Sequence, residues 1–584
     1  MSDSNGIDRE WWKEAVVYQI YPRSFNDSDG DGVGDLQGIV ERLDYLDDLG
    51  VDAVWLTPVY DSPLADYGYD VRDYRSILDE YGDVDDWERL RDGLHDRDIA
   101  LIMDLVVNHT SDEHRWFQRS RRGVEPYADY YVWREGDPDD PPNNWESIFG
   151  GSAWSYDEVR EAHYLHLFDE KQPDLDWTNP AVRAEVHDLM RWWLDRGVDG
   201  FRLDVINFIS KAEGLPDGEP APAATGSEHF INGPRMHEYL AELDREVLSN
   251  DDVFTIGEMP GTSVEQAREY VGEDGVLDVV FHFEHMDLDT GDEGPWDVRE
   301  WALAELKETF TRWQEGLYPD GWNALYLNNH DQPRLVSRFG DEAHRVRSAT
   351  MLATFIHTLR GTPFVYQGEE IGMTNVPFER PEAFADVETR NYIERALERD
   401  DVEGFDDIAE AVRYGSRDNA RTPMQWSDAP EAGFTTGVPW LRVNPNYTEI
   451  NVEAARRDPD SVWHYYRRVL ALRREHPVLV YGRYELLLAE HPDVYAYLRT
   501  LDGALDGTLD DDGEPRRGAR QVLVVLNFSD GAATAAIDDE VPSEQTELLL
   551  GNYERADEDR GPQPGPGDGS LDLGPYEARV YRLD

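Results

Sequence analysis

The stretch Gly200-Phe201-Arg202-Leu203-Asp204-Val205-Ile206-Asn207-Phe208 decides how the rest of the chain is read. It opens on a glycine turn and continues as a short apolar strand. Alternation along a strand places Arg202 and Asp204 on one face and Phe201, Leu203 and Val205 on the other. An arginine and an aspartate on a buried face are costly unless they serve each other. A guanidinium beside a carboxylate favours its ionised form and fixes its aim, as a nucleophilic carboxylate requires. An isolated pair of this kind is more often a structural ion pair. Here three other strand ends also finish in catalytic-type side chains.

Working outward, short apolar strands alternate with helical periodicity on both sides of this stretch. Before it come strands over 15–21, 51–58 and 99–109, the last (IALIMDLVVNH) almost continuously apolar, as in a parallel sheet covered on both faces. Helices are expected over 36–49, 85–98 and 180–196. After it come strands over 253–259, 276–283, 323–331 and 362–369, with helices over 234–248, 298–317 and 343–359. Eight strands alternating with helices predict an α/β fold, a (β/α)8 TIM barrel.

Two segments break the alternation. Residues 109–172 are dense in Asp, Pro, Asn and aromatics and read as a small irregular domain inserted after the third strand. The barrel is then expected over 1–108 and 173–476. Its second part holds a polar excursion that starts at Met373, runs through Asn451 and ends near 460. A helix over 461–476 closes the ring. From 477 to 584 short strands at 484–489, 494–501, 521–528, 547–550 and 578–583 predict an antiparallel β domain, with an acidic hairpin tip at 502–517.

In a barrel of this kind chemistry sits at the C-terminal strand ends. Those ends read Asp104 to His109, Arg202 with Asp204, Glu258, and His330-Asp331. Three carboxylates and two histidines converging on one mouth are the equipment for glycoside cleavage: a nucleophile, an acid for the leaving oxygen, and groups that steady an oxocarbenium-like state.

The motifs DLVVNH (104–109), QPDLDW (172–177), GFRLDVINF (200–208), TIGEMPG (255–261), FEHMDLD (283–289), NNHDQPR (328–334), QGEEIGMTN (367–375) and RDNARTPMQW (417–426) occur in this order across nearly the whole chain. On them the sequence resembles the α-amylase family of glycoside hydrolases, in its oligo-1,6-glucosidase and α-glucosidase branch. The resemblance implies Asp204 as nucleophile, Glu258 as acid and then base, and Asp331 as the carboxylate that pins sugar hydroxyls. It implies that Arg202 orients Asp204 and that His109 and His330 bond the glucose being cleaved. Asp66, Tyr69, Gln172 and Arg421 match positions around that glucose. Val205, next to the nucleophile, matches the position where valine accompanies α-1,6-linked substrates.

The loop from Asp27 to Asp35 places carboxylates at alternate positions (Asp27, Asp29, Asp31), a glycine sixth, the Val33 carbonyl seventh and Asp35 ninth, like the start of a calcium loop. The twelfth position is Gly38, so no glutamate closes it. The family resemblance implies one structural Ca²⁺ or Mg²⁺ here, and no organic cofactor is expected.

Composition bounds the remainder. The formal charge is −68, and of 55 basic residues only Lys13, Lys171, Lys211 and Lys307 are lysines. Such a surface repels itself in dilute buffer and is calmed by counterions. A halophilic cytoplasm, with K⁺ or Na⁺ as stabilising partner, is the expectation. Nucleic-acid binding is disfavoured, because phosphate binding needs a basic face. There is no cysteine, hence no disulfide or thiolate metal site, and no apolar run long enough for a signal peptide or membrane span. The expected protein is a retaining, exo-acting α-glucosidase on short oligosaccharides, favouring α-1,6 bonds. Trehalose-6-phosphate hydrolysis or sucrose isomerisation on the same fold is the alternative. A non-catalytic relative is disfavoured because the three carboxylates are retained. The sequence leaves the oligomeric state open.

Overall fold

The computed structural model describes residues 9–221, 224–250, 253–291, 294–399, 402–501, 521–537, 546–553 and 570–583. Eight parallel strands form the centre: β1 (Val17–Ile20), β2 (Ala53–Leu56), β3 (Ala100–Val106), β4 (Gly200–Asp204), β5 (Phe254–Glu258), β6 (Val279–Phe281), β7 (Ala324–Leu325) and β8 (Thr362–Tyr366). They pair in the order β6-β5-β4-β3-β2-β1-β8-β7. A parallel bridge between Val280 and Asn323 joins the two ends, so the sheet closes into a barrel. The interior is filled, not hollow. Trp55, Phe281, Tyr326 and Phe364 meet there, with the Phe281 and Tyr326 rings 3.8 Å apart. This plug is the floor on which the polar strand ends rest.

Several elements are shorter than the apolar runs suggest. Strand β3 stops at Val106, and His109 lies beyond it, bridged to Asp174. Strand β7 has two residues, so Asn328 to Asp331 is loop. An apolar run marks burial, and buried loop ends are as apolar as strands. The expected helix over 36–49 is two helices, Leu36–Val40 and Leu43–Leu49. The break falls at Arg42 (φ −111°, ψ 7°), whose guanidinium reaches back to Asn26 Oδ1 at 2.8 Å. The helix expected from Val298 begins at Leu303, because Gly294–Val298 pairs as a strand. A helix between β5 and β6, Val264–Val271, has no counterpart in the reading above. It carries a capping box from Ser263 and Gln266.

The insertion after β3 is less irregular than its composition suggests. It holds a helix (Arg115–Ser120) and a three-stranded sheet built from Trp133–Arg134, Ala162–Leu165 and Trp154–Asp157. Its core residues Trp145, Trp154, Leu165 and Leu167 pack with Val205, Phe208 and Phe230 from the loop after β4. The inserted domain is thus fastened to the strand end that carries Asp204. The polar excursion likewise has its own small core of Val376, Phe378, Phe384, Ile393 and Val412. The C-terminal domain is a five-stranded antiparallel sheet of β9 (Arg483–Leu487), β10 (Val494–Thr500), β11 (Gln521–Asn527), β12 (Thr546–Gly551) and β13 (Ala578–Leu583), in the order β9-β10-β11-β13-β12. A two-stranded sheet of Ala533–Ala536 and Ser570–Leu573 lies beside it, unforeseen from the sequence. The acidic tip at 502–517 falls outside the described residues.

Candidate active site

The C-terminal strand ends open into a cavity of about 1090 Å³. Asp66, Tyr69, His109, Gln172, Asp204, Val205, Glu258 and Asp331 all line it, with Phe149 and Phe168 from the inserted domain and Glu388 and Arg417 from the excursion.

At its floor Arg202, fully buried, is shared among three carboxyls. Nη1 donates to Asp104 Oδ1 at 2.9 Å and to Asp204 Oδ1 at 2.6 Å, and Nη2 meets Glu258 Oε1 at 2.5 Å. The guanidinium lies over the Trp55 ring, 5.1 Å from its centre. Asp204 is therefore not the sole partner of Arg202, as the strand pattern suggests. Parallel pairing brings Asp104 of β3 level with Arg202 of β4, and Glu258 arrives from β5 on the other side. Burial pushes Asp204 well above the ordinary carboxylate range. Arg202 opposes this, and repulsion from Glu258 and Asp104 adds to it. Glu258 is raised as well, by burial first. One cation among these carboxyls favours a proton shared by the Asp204–Glu258 pair.

Asp331 behaves in the opposite way. Burial raises it, but His330, Arg417 and Arg421 outweigh burial and hold it well below the usual range. Its Oδ2 is 2.9 Å from His330 Nε2, and Oδ1 accepts from Arg417 Nη1 at 3.1 Å and from Arg421 Nη2 at 2.8 Å. His330 is fixed by Tyr69 Oη at 2.6 Å and by Gln19 at 2.8 Å. Tyr69 also donates to Asp104 at 3.0 Å, which ties the two halves of the site together.

On the far wall Arg417 donates to Asp66 at 3.2 Å, and Gln172 Nε2 lies 3.2 Å from both Asp66 Oδ2 and His109 Nε2. Burial, against the pull of Arg417 and Arg421, raises Asp66 to about 7. Arg421 and His330 do not line the cavity; they stand behind Asp331 and Tyr69. Arg417, Asp386, Glu388 and Asp104 are the site groups to which the sequence reading gave no role. Arg417 and Asp104 stand inside quoted motifs. Asp386 and Glu388 lie in the excursion with no local pattern to expose them.

Val205 occupies the left-handed region (φ 35°, ψ 43°), rare for a β-branched residue. This turn aims its N–H at Glu258 Oε2, 2.9 Å away, while the side chain lines the cavity and packs beside Phe208. The chain is turned here by surrounding packing, which fits a residue held for a site rather than for local preference.

In the first βα loop, ligand atoms of Asp27, Asp29 and Asp35 lie within 4.8 Å of one another; Asp31 is not in that trio. Asp27 accepts N–H bonds from Asp29, Gly30 and Gly32, and Asp35 caps the helix that starts at Leu36. Among the described residues no Lys or Arg pairs with Asp27, Asp29, Asp31 or Asp35. Three gathered carboxylates without a cation repel, and oxygen donors of this kind suit a hard divalent ion. The loop packs on the excursion through the Thr435 hydroxyl, which donates to Asp27, and none of its carboxylates lines the cavity.

Among the described residues no helix is long and apolar enough to cross a membrane. Comparison with known proteins agrees with the geometry. The family profile "Alpha amylase, catalytic domain" matches residues 19–482. The chain is 53% identical to an oligo-1,6-glucosidase of Parageobacillus thermoglucosidasius, covering 99% of this chain and 100% of that protein. It is 45% identical to a trehalose-6-phosphate hydrolase of Bacillus subtilis, covering 98% of each. The isomaltulose synthase structure from Klebsiella sp. LX3 superposes with a TM-score of 0.91 at 41% identity, covering 99% of this chain and 100% of that one. With a barrel closed around an Arg202-bridged carboxylate pair, and with relatives matched along its whole length, the chain belongs to the α-amylase family of glycoside hydrolases.

Proposed function

We propose that this protein is a retaining, exo-acting α-glucosidase that removes glucose from the non-reducing end of short oligosaccharides, favouring α-1,6 bonds. The observation that carries the reading is the Asp204–Glu258 pair held on one guanidinium, facing a cavity whose far wall is shut by Asp66 and Arg417. A terminal glucose would seat against Tyr69, His109, Gln172 and Asp66, with Asp331 on its hydroxyls. Glu258 gives its proton to the glycosidic oxygen as Asp204 attacks the anomeric carbon, so the C–O bond breaks and a β-glucosyl ester forms. Water, deprotonated by Glu258, then attacks the ester carbon from the opposite face and frees Asp204. Two inversions return the α-anomer. The walled far side supports removal of single terminal residues rather than mid-chain cleavage.

Trehalose-6-phosphate as substrate is less well supported. Arg417 is the sole Lys or Arg among the described lining residues, and Asp66, Asp331 and Asp386 already engage it. Sucrose isomerisation shares the floor of the site and differs in the fate of the ester.

The same reading places one Ca²⁺ or Mg²⁺ at Asp27, Asp29 and Asp35, neutralising the trio and holding the loop to the excursion. It also places the protein in a salt-rich cytoplasm, supported by the charge of −68.

Asp204→Asn and Glu258→Gln should each lose nearly all turnover while the folded far-UV spectrum persists. Proton NMR during early hydrolysis should show α-glucose first. Early β-glucose would refute the retaining assignment. Side-by-side rates on isomaltose, maltose, sucrose and trehalose-6-phosphate test the substrate.

A further inference from the structure

Gln332 follows Asp331 in the chain and lines the cavity beside it. It also lines a recess of about 130 Å³ that opens off the cavity between the loop after β6 and the polar excursion. The recess shares Asp287, Asp331, Gln332 and Glu388 with the cavity and reaches none of Asp66, Tyr69, His109 and Gln172. Gln332 therefore stands on the side of Asp331 turned away from the wall that seats the terminal glucose, the side left for the leaving sugar.

The Gln332 amide is set from behind, where Arg338 Nη1 donates to its Oε1. A guanidinium can only donate, so the atom it meets is the oxygen, and the nitrogen is left toward the cavity. Among the described residues no group accepts from that nitrogen. Its neighbours around the recess, Asp287, Asp331 and Glu388, are carboxyls. Arg338 is itself firmly held, with its side chain 6% exposed. Nε donates to Asp289 Oδ2 at 2.7 Å and Nη2 to Asp289 Oδ1 at 2.5 Å, and Tyr414 Oη donates to the same Oδ2 at 2.7 Å. Nη2 also reaches the Met286 carbonyl. The planar fork spends one edge on a carboxylate and leaves Nη1, beside the Met286 sulfur, for the amide. A lysine ammonium, a single point charge, cannot divide its donors in this way.

We infer that Arg338 is a positioning residue that holds Gln332 with its N–H groups toward the leaving sugar, so that Gln332 donates to one lone-pair oxygen of that sugar and selects among leaving groups. The inference rests on the function proposed above. Without the guanidinium the amide is free to turn over and present its oxygen, which adds a further acceptor to a wall already lined by carboxyls.

The test uses the full-length protein and compares kcat/KM on two glucosyl donors. One is the disaccharide cleaved best among isomaltose, maltose and sucrose. The other is α-glucosyl fluoride, whose leaving group offers Gln332 no sugar oxygen. The ratio of the first to the second should fall about tenfold in Gln332→Met, through loss of one hydrogen bond. Arg338→Lys keeps a cation for Asp289 and loses the fork, so it should lower the ratio by a similar factor. The double variant should fall no further than Gln332→Met alone, because both changes act through one amide. Should Arg338→Lys fail to fold, Arg338→Met/Asp289→Asn removes both charges together, and Gln332→Glu keeps the bond to Arg338 while giving the cavity an acceptor; each should show the same fall in the ratio. A wild type that cleaves neither donor sinks the functional reading, and the inference falls with it. An active wild type whose ratio is unmoved by Gln332→Met, or whose double variant loses the product of the two single factors, overturns the inference alone.

Discussion

Replacing Arg202 with methionine removes one cation from among three buried carboxyls and keeps most of the volume. The guanidinium contacts Asp104, Asp204 and Glu258 at 2.9, 2.6 and 2.5 Å. With charge centres about 4 Å apart and an effective dielectric near 20, each attraction is worth about 4 kcal/mol, or about three pK units. The carboxyls already lie above their ordinary range because burial outweighs Arg202. Without it they rise further, and the Asp204–Glu258 pair takes up a second proton at neutral pH. A protonated Asp204 is no nucleophile. We expect kcat/KM on p-nitrophenyl α-glucoside to fall on the order of 10³-fold near neutrality. The acid limb of the pH profile should move upward, and activity should recover in part in alkali. Stability follows the same sign. A carboxyl whose folded pKa exceeds its unfolded value binds more protons when folded. The variant therefore loses stability as pH rises from about 4 toward the raised folded pKa, and the loss is complete above it. Breaking a buried pair costs roughly 3–5 kcal/mol, so the melting temperature should drop more in alkali than in acid. An Arg202→Met enzyme with an unmoved pH profile and near wild-type kcat/KM would refute this account of the floor.

Activity and melting temperature should rise with KCl into the molar range and collapse on dialysis into dilute buffer, given a charge of −68; an unchanged melting temperature without salt contradicts the halophilic reading. Chelation should lower thermal stability more than the specific activity of surviving enzyme, because none of Asp27, Asp29 and Asp35 lines the cavity; calorimetry with and without Ca²⁺ that shows no difference removes the metal. Val205→Thr should shift preference from isomaltose toward maltose by about 1–3 kcal/mol without abolishing catalysis, since the side chain lines the cavity and its N–H still reaches Glu258; a wild type that strongly prefers maltose defeats that argument.

The alternation of strands and helices, the two interruptions and the positions of Asp204, Glu258 and Asp331 could be read along the chain because each is a local signal. Apolar runs of strand length mark the barrel, and polar residues at their ends mark its mouth. The α-amylase resemblance added the roles around the glucose. What the chain could not disclose was partnership. Arg202 and Asp204 stand two residues apart and invite pairing, but lateral register in the closed barrel also brings Asp104 and Glu258 to the same guanidinium. Arg417 and Asp66 are far apart in sequence and meet across the cavity at 3.2 Å only because the excursion folds back over the mouth. Lys211, which no local pattern marks, is met by Asn108 and Asp174 only in the folded chain. Residue types and spacing determine which groups are available. The sum of burial and neighbouring charge, a property of the closed barrel alone, decides which of them are ionised and what they face.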